Sequence, residues 1–199
     1  MAQKLEIPLA KPIKYPDGEG DGAPVKTVNS LLMREATMSD LSHVVLGNAP
    51  ISNYAEVVAR CCQNVAAEFV RGGSGRNAGL FTNWVVGQFL SAEKGAKVQG
   101  MISDDEITLF AHVEVKKKAN GQTEQVKVAK LKMREPTIEE VGFIPSEVVT
   151  IGHYLELAAN CVSGGVPENA VRKCSAENAL PIIAWAANFI GAAPEIGAI

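Results

Sequence analysis

The sequence has little of what catalysis requires. Its three histidines, His43, His112 and His153, are scattered. None stands at metal-ligand spacing from another histidine or from a cysteine. There is no G-x-S-x-G elbow, no H-E-x-x-H and no dinucleotide fingerprint, so the short signatures of hydrolase, zinc-protease and nucleotide sites are missing. The four cysteines, Cys61, Cys62, Cys161 and Cys174, form no C-x-x-C pair and read as small buried hydrophobes in a reducing compartment. Charge of one sign is also scarce. A net charge of −3 provides no field to gather nucleic acid or anionic lipid. The longest apolar run, residues 179–193, is too short to span a bilayer and contains Pro181 and Asn188. The first residues, "MAQKLEIPLAKPI", lack the apolar stretch of a signal peptide. These absences predict a cytoplasmic protein that is not an enzyme. No catalytic residue, cofactor or metal is expected, and neither nucleic acid nor membrane is a partner.

What is present is an ordinary globular composition, 47% apolar and 21% charged, and a stretch written twice. "LLMREATMSDL" occupies 31–41 and "LKMREPTIEEV" occupies 131–141. Sliding the chain by 100 residues aligns 31–90 with 131–190. Identities fall at Leu31, Met33, Arg34, Glu35, Thr37, Ile51, Tyr54, Glu56, Ala59, Cys61, Glu68, Leu80 and Phe89, thirteen of sixty positions. Chance would supply about four. Trp84 and Trp185 miss this register by one. The pattern predicts an α+β chain of two tandem repeats, each a β-hairpin followed by a small helical bundle, over residues 1–99 and 100–199.

In the second half, 107–118 and 124–133 flank Asn120-Gly121, a strong hairpin signal because both residues tolerate positive φ. In the first half the matching strands flank "PDGEGDGAP". That loop has calcium-like spacing, but Val28 stands where a bidentate glutamate belongs. The doubled stretch reads as a strand-to-helix junction. Thr37 and Thr137 are placed as N-caps, with Asp40 and Glu140 three residues on as in a capping box. Arg34, Glu35, Arg134 and Glu135 are read as fixing the junction angle through an ion pair with the following helix. Apolar residues at three- and four-residue steps predict a helix over 51–70 and helices over 78–93 and 175–191. Residues 91–106 read as a polar linker. The last helix is apolar on nearly every face, so Ile182, Trp185 and Phe189 are the candidate partner-binding residues.

The order strand, hairpin, junction, helices resembles the tail assembly chaperones of long-tailed bacteriophages, particularly those of phage Mu and its relatives. Leu9, Pro12 and Ile13 match the family's opening strand. Met33-Arg34-Glu35-Ala36-Thr37 and Met133-Arg134-Glu135-Pro136-Thr137 match its "Leu-Arg-Glu-Pro-Thr" junction, with Ala36 in place of the proline in the first copy. The likeness covers about 40 residues of the first copy and about 15 of the second. It implies a chaperone that binds the tape-measure protein in the host cytoplasm and keeps it soluble before the tail tube polymerises. The tail tube protein is a second candidate partner, and a homo-oligomer stays open. The alternative is a structural tail or baseplate protein that remains in the virion.

Overall fold

A computed structural model describes residues 5–20, 22–47, 49–119, 122–145 and 147–190. Its elements mix helix and strand. They run β1 (Leu5–Pro16), β2 (Val25–Met33), α1 (Met38–Leu41), α2 (Ile51–Cys61), α3 (Ala67–Arg71), α4 (Ala78–Phe89) and α5 (Ala92–Val98). They continue with β3 (Glu106–Ala119), β4 (Gln122–Met133), α6 (Ile138–Gly142), α7 (Ile151–Cys161), β5 (Val162–Ser163), α8 (Glu168–Arg172) and α9 (Ala179–Ile190). Short 3-10 turns, Gly75–Asn77 and Ala176–Asn178, lead into α4 and α9. Asn120 and Gly121, the hairpin signal, lie outside the described residues.

The chain divides into two compact units, but not at residue 100. One contains Met1–Ala36 and Pro50–Gly87; the other contains Thr37–Ala49 and Gln88–Ile199. The contiguous halves 1–99 and 100–199 therefore do not describe the packing. The reason is α1 and the residues after it, which pack with α7 and α8.

In the first unit β1 and β2 pair antiparallel, Leu5 opposite Met33 and Pro8 opposite Ser30, then again from Ile13 opposite Val28. Four β1 residues, 9–12, thus face one β2 residue, which makes a wide bulge. Asn77 staples it. The Lys11 N–H donates to Asn77 Oδ1 at 3.0 Å, and Asn77 Nδ2 donates to the Lys11 carbonyl at 3.0 Å. Ile7, Ile13, Leu31 and Met33 face inward with Tyr54, Val57, Val58 and Cys61 of α2. The helix predicted over 51–70 stops at Cys61 because the next residues serve β2 instead. Gln63 N–H donates to Leu32 O at 2.8 Å. The Asn64 side chain accepts from Leu32 N–H at 2.8 Å and donates to Ser30 O at 3.0 Å. Phe69, now on α3, stacks on Tyr15 with ring centroids 4.9 Å apart.

In the second unit β3 and β4 pair with Thr108 opposite Lys130, and the pairing resumes at Val113 opposite Val128. The bulge again leaves four residues against one. Asn178, fully buried, holds it through Ala111 N–H and Ala111 O, both at 2.9 Å. Here a third strand, β5, pairs with β4, and Gly164 and Gly165 turn the chain away at φ +71° and +79°. A side chain at Gly164 would both strain that φ and press on Lys132, 3.3 Å from a Cβ position. Helix α7 packs on α8 and α9, and α5 on α9. The predicted polar linker is thus partly helical. Ser91 caps α5 by accepting from Lys94 N–H at 3.4 Å, and Val98 is buried. Pro181 sits in the first turn of α9, where its missing N–H costs no helical hydrogen bond.

Candidate interaction surface

The two junctions carry the caps that their sequence predicts, while Glu35 and Glu135 offer their backbone carbonyls to Arg34 and Arg134. Glu140 Oε2 accepts from Thr137 N–H at 2.9 Å, and Thr137 Oγ1 accepts from Glu140 N–H at 3.2 Å, a complete capping box. Asp40 Oδ2 accepts from both the N–H and the hydroxyl of Thr37, at 2.8 and 2.9 Å. Arg134 grips Glu140 through two nitrogens, Nη1 at 2.8 Å. It also donates to the carbonyl of Asn160 at 2.9 Å, at the C-terminal end of α7 where a cation suits the helix dipole. Arg34 makes the corresponding bond to the Arg60 carbonyl at 3.0 Å, and it donates to the Glu35 carbonyl at 3.0 Å. The guanidinium of Arg134 and the Thr137 N–H together hold the Glu140 carboxyl down to about 2. Arg71, and then Arg60, hold Glu56 down to about 2 in the same manner. Burial pushes the Cys174 thiol up to about 11. Among the described residues no cluster of three metal-ligating side chains forms.

The partner surface expected on α9 is not one. Ile182 and Trp185 are wholly buried, and Phe189 is half-buried. Trp185 Nε1 donates to the Asp104 carbonyl at 3.1 Å, and its ring meets Phe189 at 5.0 Å. The apolar faces of α9 are covered inside the second unit, by α7, α5 and β3 among others.

No known relative decides the function. The chain matches no protein-family model, no curated protein and no solved structure.

Exposed apolar surface lies instead at Ile138, 92% exposed, Val148, 53%, and Phe143, 41%. All three belong to the segment after the second junction. The segment after the first junction is buried: Met38 and Leu41 are at 0% and Val44 at 1%. It is held by the second unit's helices. Met38 N–H donates to Cys174 O at 2.9 Å, Ile151 N–H to Val44 O at 2.9 Å and Gly152 N–H to Ser42 O at 2.8 Å. Ser39 Oγ donates to Arg172 O at 2.8 Å. Thr37 bridges Ser175, and Val45 bridges Thr150.

The first unit has receiving positions of the same kind. Ile51, which corresponds to the fully buried Ile151, is 58% exposed. Gly73 and Ser74, which correspond to Cys174 and Ser175, line a groove of about 590 Å³ together with Lys11, Lys14 and Phe69. No sequence motif marked this groove.

Proposed function

We propose that this chain is an assembly chaperone of the long-tailed phage type. It holds a long, apolar, helical tape-measure protein in soluble form in the host cytoplasm until the tail tube forms around it. The observation that carries the reading is the doubled junction, Met33-Arg34-Glu35-Ala36-Thr37 and Met133-Arg134-Glu135-Pro136-Thr137, in the order strand, hairpin, junction, helices. A binding role of this kind needs apolar surface beyond the core and no titratable constellation. Ile138, Phe143 and Val148 supply such surface.

We further read the two halves as copies of one module. Support comes from pairs of bonds that recur. Arg34 N–H to Cys61 O has its counterpart in Arg134 N–H to Cys161 O, at 2.9 and 3.0 Å. The bulge staple of Asn77 on Lys11 has its counterpart in Asn178 on Ala111. Arg71 pairs with Glu56 as Arg172 pairs with Glu156.

Co-expression with a tape-measure protein tests the chaperone reading. The client, insoluble alone, is expected in the soluble fraction and to co-purify with this chain. A client that stays insoluble overturns the reading. Recovery of the chain in stoichiometric amounts from finished particles would replace it with the structural virion role.

A further inference from the structure

We propose that copies of this chain join head to tail, residues 137–149 of one copy seating in the groove beside α2 and α3 of the next. The occupant is therefore a second copy, and the inference stands whether or not a tape-measure protein is the client.

Three observations converge. The first is a precedent inside one chain. Residues 37–46 lie on the N-terminus of α7 and on the end of α8, through the five hydrogen bonds and bridges from Thr37, Met38, Ser42, Val44 and Val45 given above. The sequence repeats the pattern of that segment from 137, with Thr137 identical and apolar residues at 138, 141 and 144. It writes the receiving positions again at Ile51, Arg71, Gly73 and Ser74.

The second is complementary vacancy. Ile138 is almost fully exposed where Met38 is sealed, and Ile51 is exposed where Ile151 is sealed. Donor and receiver each show the apolar surface that the precedent covers. Burying two such side chains on facing surfaces favours association. The groove between Gly73, Ser74, Lys11 and Lys14 has the position at which Thr37 and Met38 meet Cys174 and Ser175.

The third is charge. Lys11 and Lys14 line the open receiver together with Glu68, and Arg76 lies two residues beyond Ser74, where the filled one has Ala111, Glu114, Asn169 and Glu177. The free donor carries Glu139, where the seated one has Ser39. The receiver has turned basic and the donor acidic, which selects this pairing over the internal one.

One substitution shifts the fit. A Cβ on Gly152 would sit 2.6 Å from Ser42 O, and the open receiver has Ser52 there. The donor has Gly142 opposite in place of Ser42, but the carbonyl stays, so the 142–52 contact must be wider than the 42–152 contact.

Such a contact uses different surfaces on the two copies, so it propagates. It yields a ring if the rotation closes and a filament if it does not. Sedimentation of the full chain over a wide concentration range tests it. The wild type is expected above monomer mass. Ile138→Asp removes the donor, and Ile51→Asp removes the receiver; each is expected to be monomeric, with unchanged circular dichroism because both sites are exposed. An equimolar mixture of the two variants keeps one good donor and one good receiver, so it is expected to give a dimer and nothing larger. A wild type that stays monomeric overturns the proposal. So does an assembly that survives either substitution, or a mixture that forms no dimer.

Discussion

Residues 37–49 and 137–149 begin with the same junction and meet opposite fates. Both open on a threonine cap answered by an acid three residues later. Yet Met38, Leu41 and Val44 are sealed in a core, while Ile138 stands in solvent. Capping is a local code, read from three or four neighbouring residues. Burial is a tertiary event that depends on which helix ends lie within reach. The doubled motif therefore specifies the shape of the turn in both places and its environment in neither.

The most direct way to break the comparison is to truncate the corresponding side chains. Met38→Ala opens a cavity in a filled core and should lower stability by about 2–5 kcal/mol. Ile138→Ala removes a side chain that touches solvent and should change stability by less than about 0.5 kcal/mol. Urea unfolding at a concentration where the chain is monomeric measures both. Equal losses would mean that 137–149 is covered within its own chain.

Much of this was legible beforehand because it is local. The junctions, their caps, the strands and the start of α2 follow from turn chemistry and apolar periodicity. On our reading of two copies, the 100-residue register holds as far as Gln63. Beyond it, the matching side chains fall at a spacing of 101: Val65 with Val166, Arg71 with Arg172, Ser74 with Ser175, Asn77 with Asn178 and Trp84 with Trp185. β5 meets Met133 and Lys132 as Cys62 and Gln63 meet Met33 and Leu32, so the two halves part only after it, at Asn64 and at Gly164-Gly165. On that same reading, the identities at Glu68, Leu80 and Phe89 fall outside the corresponding positions. The role of α9 was misplaced for a different reason. Its apolar circumference was judged against one domain-sized neighbour, whereas α7, α5 and β3 all pack against it.

A second pair of variants sharpens the likeness between the halves. Asn77 and Asn178 are both fully buried polar residues, and each satisfies one backbone N–H and one carbonyl at a bulge. Alanine at either position strands two backbone groups, each worth about 1–3 kcal/mol when left unpaired. Asn77→Ala and Asn178→Ala should each cost roughly 2 kcal/mol or more, with faster hydrogen exchange at the Lys11 and Ala111 amides respectively. A harmless substitution in one half alone would show that the two bulges are held by different means.

The caps come next in size. Thr137→Ala removes the hydroxyl that accepts from Glu140 N–H and should cost about 1 kcal/mol, with Thr137→Ser restoring most of it. Thr37→Ala should cost less than Thr137→Ala through the cap itself, because the Asp40 N–H donates to the Thr37 backbone carbonyl, which alanine keeps. An unfolding midpoint that Thr137→Ala leaves in place would remove the capping role from the exposed junction.

The smallest effect concerns how 137–149 keeps its shape without a core around it. Glu140 holds the turn from both sides, through Arg134 and through Thr137 N–H. These contacts lower its carboxyl from an ordinary 4.5 to about 2 in the folded chain. A depressed folded value means that the unfolded chain takes up the proton first as pH falls. The stabilisation is therefore fully present above about 4.5 and is lost as pH drops through about 2. A carboxyl-carbon titration by NMR should place the Glu140 midpoint near the lower value. Arg134→Gln should move it upward, while the Thr137 N–H keeps it below that of a free glutamate. A wild-type midpoint at the ordinary glutamate value would mean that the exposed turn is not held by this carboxylate. The precedent of a preformed donor segment would then fail at its first step.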